Sequence, residues 1–286
     1  MLTLKAPAKI NLTLEVLNRR PDGFHNIRSV VQAVNLCDCL SFSPSDSLEV
    51  SSNNPDFDPE KSLVAAAAVL LQQALGSSRG ARIEVEKHIP FSAGLGGDSS
   101  DAAAALLGLN QLWQPGLKPA QLMTMAPKLG SDVIFFLYGG TALMEGRGEK
   151  VAPLPSLPRS WVVLIVPPLP PMEGKTKQLY EKLNSRHYSD GRITDDVVAG
   201  LTRGALEPSM LFNAFENVAY GFFPGLRTYK EHFDKLGAEN VHLAGSGPTL
   251  FSLLGDKAKA EDLYQRCKDQ GLEAYLADTL SSLDRL

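Results

Sequence analysis

Cysteine is scarce in this chain. Only Cys37, Cys39 and Cys267 occur, an odd number without metal-ligand spacing. That excludes a disulfide framework and leaves three free thiols, expected in buried or half-buried positions. Long apolar runs are lacking as well: "WVVLIV" before Pro167 is among the longest, far short of the roughly 20 residues that span a bilayer. At the start, Lys5, Lys9, Asn11 and Glu15 interrupt "MLTLKAPAKINLTLEV", so no signal-peptide core is expected there and a reducing cytoplasm is the expected location. Positive charge is not in excess, since 28 Lys and Arg against 32 Asp and Glu give a formal net charge of -4. No basic stripe is present to track a nucleic acid or an anionic membrane. An anionic ligand would need a local device.

What the chain does have is pattern. With 286 residues, 44% of them apolar, it can bury a substantial core in one large or two medium domains. In "AKINLTLEV", Ile10, Leu12, Leu14 and Val16 alternate with Lys9, Asn11, Thr13 and Glu15. That is the period of a strand with one buried face, and it sets Lys9 and Asn11 together on the other. "SVVQAV" and "CLSFSPSDSLEVSS" read as further strands, and "PDG" at Pro21 to Gly23 as a turn. A helix is expected from Asp58 and Pro59, as cap and first-turn proline, to Gly76. "ARIEVEKHI" alternates again, with Ile83, Val85, Lys87 and Ile89 on one side. Helical spacing recurs from Ala102 to Trp113, and "PAQLMTMAPKLG" is a shorter helix ending at Gly130. "VIFFLYGGTALMEG" reads as a hairpin through a Gly-Gly turn.

Pro153, Pro155 and Pro158 make the stretch from Val151 to Ser160 a poor helix and a good junction. It divides the chain into expected domains 1–155 and 156–286. Beyond it come a buried strand "WVVLIV", helical patterns at 178–182, 195–202, 211–220 and 227–236, two strand patterns around "AGSG", and a last helix and strand. Strands and helices mix without strict alternation, so α+β is the expected class.

The stretch "PFSAGLGGDSSDAAAAL", Pro90 to Leu106, carries the most chemistry. No lysine follows its last glycine, so it is not a Walker A loop, and Ser99 stands where the dinucleotide fingerprint has a third glycine. Gly94, Gly96 and Gly97 let backbone N–H groups approach an anion without a Cβ in the way. Those groups lead into the positive end of a helix, where Ser99 and Ser100 add hydroxyls. Phosphate binding and a plain strand-to-helix connection are both open at this level.

Pro90, Gly94, Leu95, Gly96, Gly97, Ser99, Ser100 and Ala102 together resemble the P-x-x-x-G-L-G-G-x-S-S-x-A signature of the GHMP small-molecule kinases. "PAKINLTLEVLNRRPDGFHNI" and "GSDVIFFLYGGTALMEGRGE" resemble the branch of that family that acts on 4-diphosphocytidyl-2-C-methyl-D-erythritol, in non-mevalonate isoprenoid synthesis. "LAGSGPTLFSL" resembles its C-terminal glycine-rich motif. The resemblance runs over essentially the whole chain. It implies an α+β GHMP kinase fold, with a ribosomal-protein-like N-terminal ATP-binding domain and a ferredoxin-like C-terminal domain around a cleft. It also implies ATP and Mg²⁺ as cofactors, phosphorylation of the substrate's 2-hydroxyl, no nucleic-acid or membrane partner, and a monomer or weak homodimer.

Site residues follow from the same resemblance. Pro90, Ser92, Ala93, Gly94, Leu95, Gly96, Gly97, Ser99 and Ser100 are expected around ATP. Asp132 is expected at the reacting hydroxyl, as general base or orienting carboxylate, with Lys9 keeping it ionised and stabilising alkoxide charge. By residue type alone, Asp132 reads equally as a helix-end hydrogen bonder and Lys9 as a solvated strand lysine. Asn11 shares the strand face with Lys9. Phe24 is expected to stack on the cytosine while His25 hydrogen-bonds its edge. Thr176 and Tyr180, four apart on one helix side, offer a hydroxyl and a second ring, and Gly245, Ser246 and Gly247 a backbone clasp. "FNAFENVA" has Ala214 where the family has aspartate, so Asn213 and Glu216 read as helix architecture. His88, His187, His232 and His242 lack ligand spacing.

Asp98 stands beside the expected triphosphate. Its side chain either turns to solvent or caps the helix, helps Ser99 or Ser100 hold Mg²⁺, or weakens nucleotide binding. Asp101 is expected to be exposed in the first turn, favoured by the helix dipole. A kinase for mevalonate, homoserine or a sugar is the rival reading. "DGFH" argues against it, because those substrates have no base to stack.

Overall fold

In the computed structural model, which describes residues 1–170 and 172–281, the N-terminal alternation becomes two strands, β1 (Leu2–Asn11) and β2 (Thr13–Arg19). Both pair antiparallel with β3 (His25–Ser43), a strand of 19 residues that merges two of the expected strands. The register of β1 on β3 shifts between Pro7 and Ala8, the kind of irregularity that bends a long strand. β4 (Leu48–Ser52) runs parallel to β5 (Ala81–Glu86), which returns the chain to β3. Between them lies α1 (Leu63–Leu75), capped by the Ser62 hydroxyl accepting from the Ala65 N–H and closed by Gly76 in the left-handed region. The expected cap at Asp58 and Pro59 is therefore corrected to Ser62: a side-chain acceptor at the true helix start outcompetes an upstream proline.

α2 (Gly97–Trp113) and α3 (Pro119–Leu129) follow as expected. Gly108 stays inside α2 because a Cβ there would meet the Phe42 ring at 2.4 Å. The expected hairpin at "VIFFLYGGTALMEG" is corrected: its first half is α4 (Val133–Tyr138), and only the second half is a strand, β6 (Thr141–Gly146). A short apolar run has no period that separates helix from strand. Here its side chains pack under α2 and α3 in the core. β6 lies against β3 and carries β7 (Lys150–Pro153) on its other edge.

Past the proline stretch, β8 (Trp161–Ile165) is followed by α5 (Lys175–Lys182) and α6 (Arg192–Thr202). The helix expected at 211–220 is corrected too. Phe212–Asn213 is a short strand, β9, pairing parallel with β2, and α7 (Glu216–Phe222) starts after it. Then come α8 (Leu226–Lys235), β10 (His242–Leu243), β11 (Leu250–Leu254), α9 (Lys257–Asp269) and β12 (Ala274–Asp278). These strands form a second, antiparallel sheet in the order β10-β11-β8-β12. The whole is an α+β fold with two sheets, an eight-stranded one formed by β1 to β7 with β9 from beyond the proline stretch, and a four-stranded one formed by β8 and β10 to β12.

The seam between the two halves is a shared core rather than a linker. Leu14 and Val16 of β2 are buried among Val163, Leu179, Phe215 and Leu243, and Ala8 and Ile10 of β1 among Leu164, Ala244 and Phe251. Alternation on β1 and β2 thus feeds apolar residues into the joint and leaves Lys9 and Asn11 for the cleft beside it.

Candidate active site

Five pieces of chain meet at that cleft: the end of β1, the loop 90–96, the start of α4, the start of α5 and the loop 244–248. They line a cavity of about 960 Å³ together with His25, Phe24 and Ser29 from the β2–β3 side. The two glycine loops touch back to back. A Cβ on Gly94 would come within 2.2 Å of the Ala244 oxygen, and one on Gly245 within 2.7 Å of the Gly94 oxygen. Gly94, Gly96, Gly245 and Gly247 all have positive φ. Close approach and backbone conformation both require glycine there.

Lys9 sits beneath this contact. Its backbone N–H donates to the Leu95 oxygen at 2.9 Å, tying the strand to the loop, and its side chain is buried. Lys9 Nζ donates to Asn11 Oδ1 at 2.8 Å and faces Asp132 Oδ2 at 3.5 Å. Asn11 in turn donates to the Ser29 hydroxyl at 2.8 Å, so Asn11 is a buried positioning amide for the lysine. Asp132 precedes α4 rather than the strand expected after it, and its side chain, 37% exposed, opens on the cavity. A carboxylate held beside a buried ammonium, with one face open to solvent, has the charge and reach to take or orient a hydroxyl proton.

At the far end of the cavity, Tyr180 stacks on the His25 ring with centroids 4.9 Å apart, and its edge meets Phe215. His25 Nε2 lies 3.2 Å from the Tyr188 hydroxyl. Burial, with Arg19 nearby, holds the imidazole below its ordinary pKa, so it is neutral at pH 7 and offers one donor and one acceptor. Phe24 is 54% exposed, with the Arg147 guanidinium 4.7 Å over its ring. The structure therefore sets Tyr180 against His25 and leaves the Phe24 ring at the surface of the same cavity. Thr176 and Ser246 share a hydrogen bond at 2.9 Å, which joins α5 to the second glycine loop.

On the other side of the first loop, a shallow groove of about 140 Å³ runs along Lys87 and Pro90 to Ser99. Gly96 caps α2, and no side chain supplies the cap. The first hydrogen bond at that end runs from the Ser100 N–H to the Gly96 oxygen at 3.0 Å, leaving the N–H groups of Gly97, Asp98 and Ser99 without intrahelical partners. The Asp98 side chain is 61% exposed and 3.7 Å from Lys87 Nζ. Capping is therefore not its role, and solvent exposure is what the structure gives.

Asp101 overturns the expectation of exposure. It is buried, and its carboxylate accepts from Lys87 Nζ at 2.8 Å. The same ammonium donates to Asp38 Oδ2 at 2.6 Å, while Asp38 Oδ1 accepts the backbone N–H groups of His88 and Ile89 at 2.6 and 2.8 Å. This buried cluster fixes the chain just before Pro90 and the first turn of α2, the two ends of the glycine loop. Burial pushes the Asp101 carboxyl up to about 7 against the pull of Lys87. Burial disfavours the Lys87 ammonium, but Asp101 and Asp38 outweigh it and raise its pKa. Only one weak sequence signal points here: Lys87, just past β5, continues the apolar phase of Ile83 and Val85.

Asn213 and Glu216 also do more than was expected of helix architecture. Asn213 Nδ2 donates to the Leu243 and Gly245 oxygens at 2.8 Å each, and Glu216 accepts the Leu243 N–H at 2.9 Å. Asn213 lies on β9, outside any helix, and both side chains support the second glycine loop. Lys175, absent from the sequence-based candidates, bridges the two loops: its Nζ donates to the Ser92 oxygen at 2.6 Å and to the Gly247 oxygen.

Comparison with known proteins gives a consistent family. The description "GHMP kinases N terminal domain" matches residues 62–140, and "GHMP kinases C terminal" matches 199–272. A 4-diphosphocytidyl-2-C-methyl-D-erythritol kinase of Dehalococcoides mccartyi is 49% identical over 99% of this chain and 100% of its own. One from Geobacillus kaustophilus is 39% identical over 92% and 91%. A crystal structure of 4-(cytidine 5'-diphospho)-2C-methyl-D-erythritol kinase superposes with a TM-score of 0.83 at 32% identity, covering 97% of this chain and 99% of that one. A homoserine kinase from Cytophaga hutchinsonii, with a TM-score of 0.76 at 20% identity over 98% and 94%, shares the fold.

Proposed function

The chain belongs to the GHMP kinases, among the 4-diphosphocytidyl-2-C-methyl-D-erythritol kinases, and from that premise we propose that its cleft transfers the terminal phosphoryl of ATP to the 2-hydroxyl of 4-diphosphocytidyl-2-C-methyl-D-erythritol. The observation that carries this reading is the placement of Lys9 and Asp132, 3.5 Å apart, in one cavity with both glycine loops and the His25–Tyr180 stack. Phosphoryl transfer asks chiefly for positioning and charge stabilisation. Asp132 takes or orients the hydroxyl proton, the freed oxygen attacks the terminal phosphorus, and ADP leaves. Lys9, paired with Asp132 at 3.5 Å, offsets charge on the attacking oxygen.

In this reading the backbone of Pro90 to Ser100 cradles the triphosphate at the positive end of α2. Phe24 and the neutral His25 receive the cytosine by stacking and hydrogen bonding, and Thr176 with Gly245 to Gly247 contacts the diphosphate. Mg²⁺ fits the Ser99–Ser100 corner, where the Ser100 hydroxyl is buried without a hydrogen-bond partner among the described residues; bound with the phosphates, it would neutralise their charge. The N-terminal half is read as the ribosomal-protein-like ATP-binding domain, 1–155, and the four-stranded antiparallel sheet with its helices as the ferredoxin-like domain, 156–286. No helix among the described residues is long and apolar enough to cross a membrane, which is compatible with a cytoplasmic enzyme.

The test is Mg²⁺-dependent ADP release with 4-diphosphocytidyl-2-C-methyl-D-erythritol run beside mevalonate and homoserine. Turnover is expected with the cytidyl substrate and not with the others. Turnover confined to a small alcohol would retain the kinase fold and discard the cytosine site.

A further inference from the structure

We infer that Lys175 forms a phosphate subsite of this cavity, its ammonium bound to the two glycine loops and open to the oxygens of a bound polyphosphate. The argument starts from an imbalance. An ammonium carries three donors, and Lys175 Nζ gives two of them to the Ser92 and Gly247 carbonyl oxygens. Those partners are neutral. Among the described residues no ion pair joins this buried lysine to a carboxylate, and its nearest charged influence is another cation, Lys9. A buried charge is normally paired, and this ammonium, held by two carbonyls alone, is suited to meet an anion in the cavity. The two carbonyls hold it in the crevice between the loops, where the phosphates of either nucleotide would lie.

Burial first, and then Lys9, pull the Lys175 ammonium down to about 8. The other charged groups of the cavity near it are Lys9 and Asp132, with Lys177 and Glu181 on its own helix. An anion against the ammonium must raise its pKa. Binding at pH 8 therefore takes up a proton, to at most about half an equivalent from this group.

The inference rests on the proposed function only for which phosphates arrive, so the first probe is inorganic tripolyphosphate, with the intact protein and no turnover. Calorimetric titration at pH 8 in buffers of different ionisation enthalpy is expected to register more proton uptake by the wild type than by Lys175→Met, the ligand's own ionisation being common to both. Lys175→Met is expected to bind about tenfold or more weakly and without that excess. Lys175→Arg, which keeps the charge but does not titrate in this range, is expected to retain affinity and lose the excess. Repeating the titration with a non-hydrolysable ATP analogue and with CDP assigns the subsite to the nucleotide triphosphate or to the cytidyl diphosphate, according to which one Lys175→Met weakens. Unchanged affinity of Lys175→Met for all three probes would overturn the inference and reduce the lysine to a link between loops. Should that variant fail to fold, unchanged affinity of Lys175→Gln for all three probes would overturn it equally. Failure of the ADP-release assay with tripolyphosphate binding intact would discard the proposed function and leave this subsite standing.

Discussion

Lys87 and Lys175 are each 9% exposed, each beside a glycine loop, and they are opposites. Lys87 stands between Asp38 and Asp101, both carboxylates within 2.8 Å of its ammonium. Lys175 has two carbonyls and a neighbouring cation. The pKa directions follow: two carboxylates outweigh burial at Lys87 and raise it, whereas burial prevails at Lys175 and lowers it to about 8. A buried charge satisfied within the protein holds structure together, and one left without its counter-charge is held ready for a ligand. The first lysine fixes the ends of the loop, and the second faces what the loop binds.

That contrast breaks most visibly in stability. Lys87→Met would leave Asp38 and Asp101 buried without their cation, and removing one partner of a buried pair costs about 3–5 kcal/mol. Urea denaturation is expected to register a loss of that size, and a loss of about 1 kcal/mol or less would mean that the cluster is not the brace described. The comparison sharpens on the pH axis. Asp101 has its carboxyl raised in the folded state to about 7, against an ordinary value near 4 when unfolded. Between those values the folded protein binds more protons, so the stability this group contributes is present at low pH and lost as pH rises through about 7. From pH 5 to pH 8 the wild type is expected to lose about 2–3 kcal/mol more than Asp101→Asn. Parallel stability profiles for the two proteins would mean that Asp101 is ionised throughout.

Much of this site was legible in the sequence where the signal was local. Alternation placed Lys9 and Asn11 on one strand face, and turn chemistry marked Gly94 to Gly97. The Lys87 cluster was not legible, because Asp38 and Asp101 are 49 and 14 residues away along the chain and only the sheet brings β3, β5 and α2 together. Its one trace was a lysine among Ile83, Val85 and Ile89. Lys175 left no trace: "KTK" reads as a solvated helix start, and the Ser92 and Gly247 oxygens that hold it come from opposite halves of the chain. The helix at Val133 to Tyr138 is hidden because six apolar residues carry no period that separates helix from strand. The burial of Asp101 is hidden because first-turn acids are favoured at the surface, and nothing near it in sequence announces a buried lysine.

The measurement that bears most directly on the account is the steady-state rate of Asp132→Asn with ATP and 4-diphosphocytidyl-2-C-methyl-D-erythritol. The account predicts kcat lower by about 10²–10⁴-fold, with KM for both substrates changed by no more than about threefold, the signature of an interaction that acts in the transition state. A kcat within about tenfold of wild type would contradict it and remove Asp132 from the chemistry.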